Sequence, residues 1–203
     1  MKKLFFPITA LVVLLPAITK AQNTELVNER PVKYENHFYF SPVEVFFHNF
    51  QIGIEHEFYS GNSLLIDGGL LLATTANVTD KGGDAEIQYR IPLYKYAKKE
   101  SSLINEVFFA PYGRINSETE SQSYPNSGRP DVSSSLFNYG GGLLMGFKVF
   151  SYSNRFCMSI YGGGGVKVSS VSGDYNFFRS SIITDDAYTG IIPRFGFQIG
   201  VSF

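Results

Sequence analysis

Residues 195–203 constrain this chain more than any other stretch. Phe195, Phe197, Ile199, Val201 and Phe203 alternate with Gly196, Gln198, Gly200 and Ser202. A period of two sends successive side chains to opposite faces of a strand. One face is therefore wholly apolar and the other small or polar, as expected of a strand that separates a greasy phase from a wet one.

The same period recurs upstream. Phe50, Ile52, Ile54 and Phe58 oppose Gln51, Gly53, Glu55 and Glu57. Ile87, Tyr89, Ile91 and Leu93 oppose Glu86, Gln88 and Arg90, and Phe156, Met158, Ile160, Val166 and Val168 oppose Ser159, Tyr161, Lys167 and Ser169. Eight runs, roughly 38–47, 50–58, 63–74, 85–94, 105–117, 136–150, 156–170 and 190–203, predict an all-β fold, an eight-stranded antiparallel up-and-down transmembrane barrel. The intervening connections at 59–62 and 151–155 are short, those at 75–84 and 95–104 intermediate, and those at 120–135 and 173–189 long. Outer-membrane barrels have short periplasmic turns and longer external loops. With the C-terminus in the periplasm, both of the longest connections fall outside. No internal repeat or second domain is visible.

The beginning of the chain reads as an export signal. Met1-Lys2-Lys3 precedes the mostly apolar stretch Leu4 to Ile18, and Ala21 supplies a small residue before Gln22. The expected organisation is a signal peptide at 1–21, a periplasmic lead-in at 22–37 and the barrel at 38–203. The apolar stretch is too short for the ~20 residues that a membrane-spanning helix needs. After Ala21 nothing is apolar enough to span as a helix, so a membrane-embedded chain has to cross as a closed barrel. No Cys near the cleavage point offers a lipid anchor, and the single Cys157 excludes an internal disulfide.

Charge narrows the partners. Lys+Arg number 17 against 18 Asp+Glu, so no overall basic field invites nucleic acid. Aromatic residues gather at run ends: Phe38, Tyr39, Phe40, Phe58, Tyr59, Tyr94, Tyr96, Phe150, Tyr152, Phe156 and Phe203 are expected at the periplasmic rim, and Phe46, Phe47 and Phe50 at the outer one.

The inward face collects the charges. The acids are Glu44, Glu55, Glu57, Asp67, Glu86 and Glu106, and the bases are Arg90, Arg114, Lys148, Lys167 and Arg194. These phases leave the outward face free of charges, each of which costs about 2–4 kcal/mol near a bilayer midplane. Eight strands enclose a space that side chains fill, so the expectation is a charge-paired plug. Strand position sorts the charges by height. Glu55, Glu57, Asp67, Glu106 and Lys148 fall in a lower layer, and Glu44, Glu86, Arg114, Lys167 and Arg194 in an upper one, with Arg90 between. The lower layer then holds a single base, Lys148, among its acids.

Gly140-Gly141-Gly142 and Gly162 to Gly165 lack the spacing of a nucleotide loop; they are expected to permit tight curvature and leave room for Tyr139 or Tyr161. His37, His48 and His56 are the only histidines, and no Ser or acid accompanies His56 on its face. No catalytic, cofactor or metal site is expected.

The Ala21-Gln22 junction, the Phe50-Gln51-Ile52-Gly53-Ile54-Glu55 strand and the Phe195-to-Phe203 alternation resemble small outer-membrane β-barrel proteins of Bacteroidetes-type bacteria. The pattern over 38–203 is also similar to the transmembrane domain of OmpA and to OmpX. The resemblance implies that Phe203 is read by the barrel-assembly machinery. It also implies that the barrel sits in outer-membrane lipid, and that many such proteins have no assigned activity. The function expected is structural, or surface recognition by a monomer, with Tyr175, Phe177 and Phe178 of the 173–189 connection as candidate contacts for an external ligand. Two alternatives differ in class: an outer-membrane lipid-modifying enzyme, and a soluble periplasmic lipocalin-like barrel with its apolar face inside.

Overall fold

Alternation becomes strand along most of the chain. The computed structural model describes residues 35–46, 49–75, 78–97, 103–122, 124, 131–151, 155–173 and 188–203. The expected signal peptide, His48, and the loop candidates Tyr175, Phe177 and Phe178 lie outside the described residues. The strands are β1 (Asn36–Phe40), β2 (Asn49–Glu57), β3 (Ser63–Thr75), β4 (Val78–Ala97), β5 (Leu103–Gln122), β6 (Val132–Ser151), β7 (Phe156–Gly173) and β8 (Gly190–Ser202). One helical turn, α1 (Pro42–Phe46), separates β1 from β2. Each strand pairs antiparallel with the next. β1 also pairs with β8, from His37↔Ser202 to Phe40↔Ile199, and so closes the sheet into a ring.

The run expected at 38–47 is not one strand. Ser41-Pro42-Val43-Glu44 ends β1 and opens α1. Ser at the N-cap, Pro at the first helical position and an acid three residues after the Ser form a helix-start pattern that outweighs the alternation following it. Glu44 therefore stands on a helix and not on a strand. β1 in turn begins earlier than 38, and His37, expected in the lead-in, is fully buried in it.

Several connections are shorter than expected because their polar residues continue the ladder. The stretch 75–84 is mostly β4, paired from Thr75↔Val78 onward, and β5 and β6 pair out to Gln122↔Val132. Ser and Thr face each other there: Thr119 Oγ1 lies 3.2 Å from Ser135 Oγ, and Ser121 Oγ 3.3 Å from Ser133 Oγ. Cross-strand hydroxyl pairs are good strand partners. β4, β5 and β6 thus reach 20 residues where β1 has 5, and the wall they form extends away from the end that holds Phe203.

A bulge alters the phase of β4. Pro92 pairs with Phe108 and Tyr94 with Val107, so Leu93 is an extra residue. A bulge of this kind tolerates a Pro and shifts which side chains point inward. Even-numbered Glu86, Gln88 and Arg90 point in before it, and odd-numbered Lys95 points in after it. The stretch 95–104, expected as a connection, therefore delivers a charge to the interior.

Glycines set the corner between β6 and β7. A Cβ on Gly142 would run into Gly164 O, and one on Gly163 into Leu143 O. Only glycine permits the strand backbones to approach in that way. Of the two rings expected to use space freed by glycine, one does so, over a glycine of β8. Tyr139 faces outward at 50% exposure, while Tyr161 leans over Gly196 and Phe108 over Gly146.

Candidate functional site

β2 states the arrangement in its simplest form. Asn49, Gln51, Glu55 and Glu57 are buried, and Phe50, Ile52 and Ile54 are exposed. Along β2, polar residues face the interior and apolar residues coat the outside, while two apolar clusters share the interior elsewhere. The largest fully buried side chains include Arg90, Lys148, Gln51, Gln88 and Gln198. Burying such groups is costly unless each finds partners, and they find them in three clusters.

The lowest is centred on Lys95. Its Nζ lies 2.6 Å from Glu57 Oε1 and 2.8 Å from Glu106 Oε2, and 5.4 Å from the Phe150 ring centroid. The lower layer thus has a second base, contrary to the single-base expectation, because the β4 bulge turns Lys95 inward.

Glu55 holds the middle. It accepts from Arg90 Nη1 at 3.1 Å, from Lys148 Nζ at 3.0 Å and from the Ser63 hydroxyl. Arg90 also donates from Nε to Gln88 Oε1 and from Nη2 to Gln198 Oε1, each at 3.0 Å. Its guanidinium sits 4.7 Å from the Phe108 ring centroid, a cation–π distance. Asp67 is held by amides, with Gln51 Nε2 donating at 2.6 Å and Gln198 Nε2 at 3.5 Å.

The upper cluster joins strands and helix. Arg194 donates from Nε to Glu86 Oε2 at 3.0 Å and from Nη1 to Glu44 Oε1 at 2.8 Å, so α1 is tied to β8. Arg114 donates to Asp84 Oδ2 at 2.6 Å, and Asn49 Nδ2 to Asp84 Oδ1 at 3.1 Å. Gln88 Nε2 donates to Glu86 Oε1 at 2.6 Å and links this cluster to the middle one. Asp84 was not expected here, since it fell in the predicted 75–84 connection. Its even-numbered phase with Glu86 was the signal that could have found it. Lys167 lines the space beside Arg194.

These ties cross the ring. In a closed order of eight strands, β2 lies opposite β6 and β4 opposite β8. Lys148 of β6 reaches Glu55 of β2, while Arg90 and Glu86 of β4 reach Gln198 and Arg194 of β8. Side chains that hydrogen-bond across the diameter close it at their height.

Aromatic placement differs in part from the expected rims. Tyr39 and Phe150 are buried inside, beside Cys157, whereas Tyr94, Tyr96 and Phe156 face outward. The histidines separate. His56 faces outward, with Nδ1 2.9 Å from Asn36 Oδ1. His37 Nδ1 lies 2.7 Å from Ser202 Oγ, a Ser–His contact that the expected lead-in boundary hid. Both residues are at most 2% exposed, so a substrate has no approach to that hydroxyl.

Comparison with protein-family models, with curated proteins and with solved structures finds no match for this chain.

Proposed function

We propose that this protein is a small outer-membrane β-barrel that crosses the bilayer as a monomer, carries a charge-plugged interior and performs no chemistry. Its role is structural, or surface recognition through the loops at the end away from Phe203. The observation that carries this reading is the inverted amphipathicity of the ring. Among the described strand residues, Asp, Glu, Lys and Arg point inward, with the exception of Lys81 on the polar extension. Outward stand Leu70 at 62%, Leu72 at 66%, Phe195 at 69% and Ile191 at 80% exposure. Each such side chain gains roughly 1.5–3 kcal/mol on leaving water, so a continuous coat of them favours lipid.

The height of the coat fits a bilayer. Outward residues run from Phe137 to Val149 on β6, and Ser135 and Ser133 lie beyond them. At ~3.4 Å per residue and a tilt near 40° that band is about 30 Å tall, the thickness of a hydrocarbon core. A soluble barrel that carries an apolar ligand requires the opposite arrangement. A lipid-modifying enzyme requires an accessible nucleophile beside a histidine, and the Ser202–His37 pair is sealed.

Fractionation of cells tests the proposal. The protein should sediment with the outer membrane and migrate faster in a gel unheated than heated. Recovery in the soluble periplasm would overturn it. Protease added to whole cells should cut within 123–131 and 174–189 and spare 98–102; cutting in the last segment would invert the topology.

A further inference from the structure

The seam between β1 and β8 is zipped only at the end that holds Phe203. Asn36 and Phe203 exchange backbone hydrogen bonds, and the ladder runs on to Phe40↔Ile199 and stops. Beyond that rung β8 keeps its pairing with β7 as far as Gly190. Peptide groups along an antiparallel strand point alternately to its two neighbours. Odd-numbered residues of β8 face the seam, as Phe203 does, and even-numbered ones face β7, where Ser202 N donates to Arg155 O. Phe197, Phe195, Pro193 and Ile191 therefore turn their peptide groups to a side on which, among the described residues, no strand lies. Two prolines keep the seam unzipped. Ser41 N donates to Gln51 O of β2, so Pro42 falls where β1 would next face β8, and Pro193 faces the seam from β8. Neither has an N–H to give.

The helical turn α1 occupies this space. It packs against both β2 and β8, leaves Val43 and Val45 exposed and keeps the Glu44 side chain at 15% exposure. Arg194 Nη1 donates to Glu44 Oε1 at 2.8 Å and to the seam-facing carbonyl of Phe195 at 3.1 Å. One guanidinium nitrogen thus fastens α1 to the bare edge of β8. We propose that α1 is a hatch in the wall, latched by Glu44 and Arg194, whose release opens the upper interior sideways to the bilayer. Lipid does not tolerate a bare sheet edge, so the space needs a cover. A longer β1 would cover it with a ladder of hydrogen bonds, whereas α1, five residues long, covers it with none and moves at little cost. Strands lie ~4.8 Å apart, so β8 and β2 flank an opening about 10 Å wide, enough for one hydrocarbon chain or a slim apolar ring. The middle cluster beneath stays tied across the ring, so the route ends in the upper interior and is not a channel. That the opening faces lipid rests on the proposed membrane location.

An octadecyl maleimide, which resides in the bilayer, tests the route on the full chain in phosphatidylcholine vesicles, with the modified residue read by mass spectrometry. Asn49→Cys places a thiol on β2 next to α1, and Asn138→Cys places one on β6, across the ring behind a wall paired on both sides; both native side chains are buried. Glu44→Ala should speed alkylation of the first thiol about tenfold and leave the second slow. Equal rates at the two thiols would place the route over the rim, and rates unchanged by Glu44→Ala would make α1 a fixed part of the wall; either result overturns the proposal. Only the heat-modifiable fraction of each variant is used. Amide hydrogen exchange of the unmodified chain in detergent reads the seam directly. The amides of Phe195 and Phe197 should exchange at least about tenfold faster than those of Arg194 and Gly196, and equal protection would overturn the unzipped seam. Exchange does not depend on where the ring resides. Its failure removes the hatch alone, whereas failure to sediment with the outer membrane removes the proposed function.

Discussion

Lys95 of β4 and Glu57 of β2 meet at 2.6 Å, although β3 lies between their strands. The same ammonium holds Glu106 of β5 at 2.8 Å. One cation thus serves two buried carboxylates, and its loss takes a close cationic partner from both. Replacing Lys95 by Met should lower stability by about 3–5 kcal/mol, the usual cost of leaving a buried charge without its partner. Adding Glu57→Gln and Glu106→Gln to that variant should restore most of the loss, because neutral amides tolerate burial. The check is the urea midpoint of the refolded barrel in detergent. An unchanged midpoint for the single variant would show that the cluster carries no such weight.

Glycine has different value at different places in the wall. A Cβ on Gly142 meets the backbone of Gly164 and Gly165, which cannot give way without opening the β6–β7 ladder. A Cβ on Gly113 meets the Cγ2 methyl of Ile87 at 3.7 Å, an ordinary contact. Gly142→Ala should therefore reduce the yield of folded barrel severalfold, while Gly113→Ala stays within about 1 kcal/mol of the parent. Folded and unfolded fractions separate by migration in an unheated gel. Equal yields for the two variants would refute the close-approach argument.

The ring and most of its inward charges were legible because period-two alternation survives wherever one wall is apolar and the other polar. Glu55, Glu57, Glu86 and Arg90 needed nothing more than their parity. What alternation does not encode is an insertion. Leu93 shifts the phase of β4, and nothing in Pro92-Leu93-Tyr94-Lys95 read as single letters says which residue is extra. Lys95 falls in the expected 95–104 connection, and alternation alone shows neither that β4 continues through it nor that the bulge turns it inward. Asp84 was lost because Asp80, Gly82 and Gly83 read as turn residues, whereas here they extend a ladder that β3 and β5 support from both sides. Glu44 reached its partner by another route. The expected strand would have pointed it inward; the helical turn of Ser41-Pro42 carries it to Arg194 instead.

The diametric ties predict a closed conductance state. Glu55–Lys148, Arg90–Gln198 and Glu86–Arg194 each span the ring. In a planar bilayer the purified protein should show no steady current of porin size. Lys148→Ala alone should leave it closed, since Arg90 keeps Glu55 and the upper tie is untouched. Combining Lys148→Ala with Arg90→Ala and Arg194→Ala removes these three cationic ties across the diameter and should produce small, fluctuating currents. Only the heat-modifiable fraction of each variant is reconstituted, so a misfolded sample is not scored. Porin-sized conductance in the parent protein would refute the plug.

The backbone and the ring of Phe203 can be tested separately at the seam. Its backbone N–H donates to Asn36 O at 2.8 Å and its carbonyl accepts from Asn36 N at 3.2 Å, which extends the short β1–β8 ladder by one pair. Its ring stands on the outward face at 55% exposure and is the feature that the assembly resemblance singles out. Deleting the residue removes both; Phe203→Ala removes only the ring. If the ring is the assembly signal, both variants should lower the amount of folded protein in the outer membrane to the same extent. If the backbone pair also matters to closure, the deletion alone should lower the urea midpoint of protein refolded in detergent, where no assembly machinery acts. Two lost peptide hydrogen bonds correspond to about 1–3 kcal/mol. The two measurements therefore divide the residue into its parts. Normal yield of the deletion in cells would refute the assembly role, and an unshifted midpoint in detergent would refute the closure role, each independently of the other.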